Sequence, residues 1–141
     1  MHGPFLVPVD GSPASLRALD HAVTLAAALH TRVEIASVVD LGQLDFYDGM
    51  YHTPDEVEAL TRRLRTDVLE HARARVPAGI DHHAVLLRGP IVRTLLQHAA
   101  EINAGLFVLG RTGKGALERL VDGSVSRALA FRAPLPVLLV S

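Results

Sequence analysis

Short apolar runs alternate with segments of helical periodicity along the 141 residues, and this alternation limits the chain to few folds. The runs fall at 5–9, 32–39, 82–87, 106–109 and 136–140. The first, Phe-Leu-Val-Pro-Val, is wholly apolar, as a strand buried on both faces should be. Ser12-Pro13 then supplies an N-cap with proline at the first helical position, and Leu16, Leu19, Val23, Ala26 and Leu29 follow at helical spacing. After an irregular stretch, 40–52, Thr53-Pro54-Asp55-Glu56 forms a capping box. Val57, Leu60, Leu64, Val68, Ala72 and Val76 line one face of the helix it starts. Gly89-Pro90 opens a third helix with Val92, Leu95, Leu96 and Ala99 inward, and a fourth is expected over 124–131. Strands alternating with helices predict a parallel sheet with right-handed crossovers and helices on both faces. The expectation is one α/β, Rossmann-like domain over 1–141, with strand order 3-2-1-4-5.

In that order the sheet reverses between the strands ending at Val9 and Leu109. Ligands in such sheets bind at the carboxyl ends of the strands, beside the reversal. The two loops that meet there are Asp10-Gly11-Ser12 and 110–123. The second carries Gly110-Arg111-Thr112-Gly113 and then Gly123-Ser124, a G-x2-G-x9-G-S spacing between a strand and a helix. Backbone N–H groups and a helix N-terminus gathered in one loop make an anion site. The chain's single lysine, Lys114, lies in it. A Walker A loop is excluded: Val108 stands where its first glycine would be, and Gly115 where its hydroxyl would be. No strand–GxGxxG–helix fingerprint is present either.

Composition narrows the function. The chain is 49% hydrophobic and 21% charged, enough for a folded core, and its net charge of −1 gives no footprint for nucleic acid. There is no cysteine, so disulfides, zinc–thiolate sites and thiol redox chemistry are excluded. No apolar run approaches the roughly 20 residues of a membrane span. The first residues lack a basic region and an apolar signal core, so a cytoplasmic protein is expected.

Several side chains are candidates for the site. Asp10 ends the first strand, where a carboxylate can hydrogen-bond a ribose hydroxyl or ligate a metal held by phosphates; it can equally cap the Gly11-Ser12 turn. Ser124 can offer hydroxyl and N–H to a phosphate, or act as an ordinary N-cap. Lys114 can neutralise a terminal phosphate or remain a surface lysine. The eight histidines show no metal-ligand spacing; His82 and His83 are adjacent in a strand and point to opposite faces. The Phe46–Tyr51 patch holds both tyrosines in the irregular stretch, as a lid or an interface would.

Together these residues resemble the universal stress protein family, in its nucleotide-binding branch. V-P-V-D-G-S-P-A-S at the start, the G-x2-G-x9-G-S loop, and G-S-V-S-R-A-L running into A-P-L-P-V-L-L-V carry the likeness over essentially the whole chain. The resemblance implies a five-stranded α/β domain that binds ATP, with magnesium able to accompany the phosphates, and that forms homodimers. It places the adenine contact at Val39, and the ribose or phosphate acid at Asp10 beside Pro8. The phosphate loop matches Gly110, Arg111, Thr112, Gly113 and Lys114, and a second phosphate segment matches Gly123, Ser124, Val125 and Ser126. Arg132-Ala133-Pro134-Leu135 departs from the His and Cys that many relatives carry there, and this puts no binding residue in doubt. The expected function is an ATP-binding stress-response sensor or regulator without a catalytic residue set. The alternatives are a slow ATPase or a phosphate- or adenylyl-transfer enzyme, and a nucleotide-independent dimeric interaction module. The expected dimer contact is the short apolar last strand at the sheet edge.

Overall fold

A computed structural model describes residues 3–42, 53–111 and 124–141. Among them the chain runs β1 (Phe5–Pro8), α1 (Pro13–Leu29), β2 (Val33–Val39), α2 (Pro54–Arg63), a π-helical segment π1 (Leu64–Glu70) and α3 (His71–Ala74). It continues as β3 (His82–Arg88), α4 (Ile91–Glu101), β4 (Leu106–Gly110), α5 (Ser124–Arg132) and β5 (Val137–Val140). The strands form one sheet in the order β3-β2-β1-β4-β5, and every neighbouring pair is parallel. The fold class and strand order are those the sequence predicts.

The period of two along the strands sorts the core into two layers. Phe5, Val7, Val33, Ile35 and Val108 face α1 and the π1 segment. Leu6, Ala36, Phe107 and Leu109 face Leu95 and Ala99 of α4 and Val125 and Leu129 of α5. All four residues of β1 are buried, as its position at the centre of a parallel sheet requires.

Two helices differ from expectation in how they bury themselves. On α1 the inward face is Ala14, Ala18, Leu19, Ala22 and Ala26, while Leu16 and Val23 are only partly buried and Leu29 is 50% exposed. The alanines face inward because the helix start lies almost against the backbone of β4, as described below. The second helix does not run evenly from Pro54. It widens at Leu64–Glu70, and there Leu64, Val68 and Leu69 are all buried, a broader apolar stripe than the regular spacing gives. Arg75 just beyond α3 ties this helix to α1: its Nε and Nη2 donate to Asp20 Oδ1 and Oδ2 at 3.2 and 2.5 Å.

Candidate functional site

The reversal of strand order opens a cleft. β1 pairs with β2 at four positions, from Phe5↔Val33 to Pro8↔Ala36, but with β4 at only two, Phe5↔Leu106 and Leu6↔Phe107. Above that level β1 and β4 part, and the start of α1 fills part of the gap. The space that remains among the described residues is small, a cavity of about 10 Å³ between Pro8, Ser12, Ser15, Gly110, Val125 and Ser126, among others.

The Asp10-Gly11-Ser12 turn is built from its own side chains. Gly11 has φ +88, a left-handed conformation that glycine adopts without strain. Ser12 N–H donates to Asp10 Oδ1 at 2.9 Å, an Asx turn. Ser12 Oγ accepts from Ser15 N–H at 3.2 Å and caps α1, and Ser15 Oγ donates back to the Ser12 carbonyl at 2.9 Å. The two roles open to Asp10 are therefore compatible: Oδ1 serves the turn, while Oδ2 has no hydrogen bond among the described residues.

Gly110 ends β4 against the first turn of α1. A Cβ there would lie 2.5 Å from the carbonyl carbon and oxygen of Ala14 and 2.9 Å from the Ser15 nitrogen. The close approach is possible only with hydrogen at this position. Ser126, on the first turn of α5, is buried, and its hydroxyl donates to the Gly110 carbonyl at 3.0 Å. That bond fixes the start of α5 over the end of β4 and uses the one proton the hydroxyl has to give. Val125 is buried beside it in the α4–α5 layer, and Ser124 is the exposed first residue of the helix. Arg111 is exposed, and its N–H donates to the Val140 carbonyl at 2.7 Å, so β4 and β5 stay paired up to the loop. Thr112, Gly113, Lys114 and Gly123 lie outside the described residues, as does the Phe46–Tyr51 patch.

At the end of β2 the hydrogen bonds distinguish two valines. The Val39 carbonyl accepts from Gly89 N–H at 3.1 Å, and Val39 is 1% exposed. Its backbone thus addresses β3. In a strand the N–H and C=O of one residue point to the same side and alternate along the chain. The Ala36 carbonyl accepts from Val9 N–H, so the Val38 backbone also addresses the β1 side. By then β1 has turned away, and the Val9 carbonyl is taken by the Ser37 hydroxyl at 2.7 Å. The polar backbone that looks from β2 toward the cleft is that of Val38. Val39, the adenine contact that the resemblance implies, turns its backbone to β3, and Val38 beside it turns its backbone to the β1 side.

A second polar cluster escaped the sequence reading. Glu34 is 5% exposed, in the middle of the apolar run of β2. Its Oε1 lies 2.9 Å from His83 Nδ1 on β3, and its Oε2 lies 2.7 Å from His98 Nε2 on α4. The acid at 34 inside a buried strand is the signal that could have found it, because a buried carboxylate requires partners. Among the described residues no group of three or more His, Asp or Glu side chains is arranged to hold a metal ion. No described helix is long and apolar enough to cross a membrane.

The family model described as Universal stress protein family matches residues 1–141. A universal stress protein of Thermus aquaticus is 35% identical over 136 residues, covering 96% of each chain. One from Methanocaldococcus jannaschii is 30% identical over 138 residues, covering 96% of this chain and 79% of the relative. A universal stress protein solved in complex with cAMP superposes with a TM-score of 0.62 at 27% identity, covering 98% of this chain and 95% of the other.

Proposed function

The chain belongs to the universal stress protein family, and on that premise we propose that it binds an adenine nucleotide, ATP foremost, and acts as a nucleotide-dependent stress-response sensor rather than as a catalyst with turnover. The observation that carries the reading is the cleft where β1 and β4 part. Three groups suited to binding lie beside it at the carboxyl edge of the sheet: the Val38 backbone at the end of β2, Asp10 Oδ2 just after β1, and the first turn of α5 above Gly110. A base edge, a ribose hydroxyl or phosphate-bound magnesium, and a phosphate would engage these groups in that order. The glycine-rich stretch with Arg111, Thr112, Gly113, Lys114, Gly123 and Ser124 would complete the phosphate cradle. The relative solved with cAMP supports an adenine nucleotide as the ligand class.

The same reading includes a homodimer formed through β5. That strand ends the sheet order, so among the described residues one side of its backbone has no strand beside it, and its Leu139 is 43% exposed.

Mass spectrometry of ligand retained through native purification, followed by calorimetry with ATP, AMP, cAMP and GTP, tests the proposal. Adenine nucleotides binding well ahead of GTP is the expected result. No adenine nucleotide binding at millimolar concentration would refute it. An ATP turnover assay on the same samples is expected to give no rate above background, and a rate above it would favour the enzymatic alternative.

A further inference from the structure

We infer that Asp40 is a positioning residue that sets the polarity of the nucleotide: it holds the end of β2 for the base and closes the start of α4 to phosphate. The inference rests on the nucleotide reading above.

The residue follows directly on β2. Its Oδ2 accepts from Ile91 N–H at 3.2 Å, and its Oδ1 accepts from Gly42 N–H at 3.1 Å. Ile91 is the first residue of α4, whose N-cap position is Pro90, with no side-chain capping bond of its own. The first amides of a helix need an acceptor from elsewhere, and the positive end of the helix dipole favours a carboxylate. Asp40 supplies that acceptor from a separate strand, 51 residues away in sequence. The turn that delivers α4 to it is tight. Gly89 has φ +139, and a Cβ there would meet Thr94 Oγ1 at 2.6 Å. With the Gly89 N–H donating to the Val39 carbonyl, this turn and the end of β2 form one stitched unit.

Helices that follow strands in a parallel sheet begin at its carboxyl edge, so each start is a potential seat for an anion. Ser12 caps α1, with Asp10 on the same turn, and Thr53 caps α2 by accepting from Glu56 N–H. Asp40 occupies α4 with a negatively charged group. A phosphate is therefore directed to the first turn of α5, above Gly110. The same carboxylate anchors the chain as it leaves β2, two residues beyond Val38, whose backbone faces the cleft. One side chain thus keeps the phosphates away from the β2 side and keeps the base-reading backbone in place.

Calorimetry with adenosine and ATP on wild type, Asp40→Ala, Asp40→Asn and Thr53→Ala, with pyrophosphate as competitor against ATP, tests this. Asp40→Ala should weaken adenosine roughly tenfold, as the loss of hydrogen bonds that fix the base site implies. Pyrophosphate should then compete at least as well as in wild type, because its seat is intact and a second one is uncovered. Asp40→Asn keeps an acceptor and should hold adenosine near its wild-type affinity. Thr53→Ala removes a helix cap far from the base and should leave both ligands unchanged, although it too lowers the melting temperature. Equal losses of adenosine and pyrophosphate in Asp40→Ala, or no change in either, would overturn the assignment. Wild-type protein that binds neither ATP nor adenosine would overturn the nucleotide reading itself.

Discussion

Gly110 stands so close to Ala14 that a Cβ on it would lie 2.5 Å from both the carbonyl carbon and the carbonyl oxygen of that residue. The glycine that opens the G-x2-G-x9-G-S pattern is thus required by the packing of β4 on α1, whatever it does for a ligand. Backbone atoms of a helix start cannot yield as a flexible side chain can. Gly110→Ala should therefore cost about 1–3 kcal/mol of stability, the range for overpacking a tight contact. Urea unfolding of the two proteins without nucleotide measures it. Equal midpoints would show that the strand and helix can separate without penalty.

Glu34 and His98 join the sheet to α4 at 2.7 Å, with His83 on the other carboxylate oxygen. Removing His98 leaves Glu34 Oε2 without its buried partner, while Oε1 keeps the more exposed His83. His98→Leu should destabilise by about 1–3 kcal/mol, the cost of leaving a buried acceptor unmade, while Glu34→Leu/His98→Leu together should cost less than the sum. Thermal and denaturant unfolding of the two single variants and the double variant give the coupling directly. Additive losses would mean that the cluster contributes through packing alone. The nucleotide affinity of all three should be unchanged, because the cluster belongs to the lower part of β2 and the cleft to its carboxyl end.

The proposed dimer contact gives a third test. Leu139 is exposed on the edge strand, and a charge there should oppose strand-to-strand association without touching the core. Sedimentation of wild type at micromolar concentration should give a species of twice the 15.1 kDa chain mass, and Leu139→Lys should shift it to the monomer. A wild-type monomer, or a Leu139→Lys dimer, would remove β5 as the interface.

The sequence predicts the alternation of elements, the sheet order and the Asp10-Gly11-Ser12 turn because these rest on strong signals along the chain. Ser12-Pro13, Thr53-Pro54 and Gly89-Pro90 punctuate the chain, and a period of two or 3.6 fills the intervals. Relations that depend on a neighbouring element were not legible. The alanine face of α1 follows from the nearness of β4, and nothing in the spacing of Leu16, Val23 and Leu29 announces it. The commitment of the Ser126 hydroxyl to Gly110 pairs residues from a strand and a helix on either side of the loop. The choice between Val38 and Val39 turns on where β1 stops pairing with β2, a register fact that periodicity does not carry. Asp40 reads as the first residue of a loop, and its partner at Ile91 is reached only after a strand and a helix intervene.

The two ends of the proposed nucleotide site can be separated by Val39→Ala and by substitutions at Asp10. The Val39 side chain is buried in the α1 layer and its carbonyl is bound to Gly89, so Val39→Ala makes a small cavity. It should cost about 1–3 kcal/mol of stability and leave the preference for ATP over GTP intact, since the backbone that reads the base is retained. Asp10 acts through charge. Asp10→Ala removes both the turn contact that Oδ1 makes with Ser12 N–H and the acceptor at Oδ2, and should cost roughly 1.5–3 kcal/mol of ATP affinity, the worth of a hydrogen bond to an ionised group. Asp10→Asn keeps a neutral acceptor for Ser12 and should restore most of the stability. It should not restore binding that depends on a phosphate-held magnesium ion, because a carboxamide is a weaker ligand for a hard cation. Comparing ATP with and without magnesium across Asp10→Ala, Asp10→Asn and wild type therefore separates the two roles of this carboxylate. If Asp10→Asn binds ATP as wild type does in magnesium, Asp10 serves as a hydrogen-bond acceptor toward ribose. If affinity falls only when magnesium is present, the ion is its partner. If none of the three proteins differ, Asp10 does no more than cap the turn.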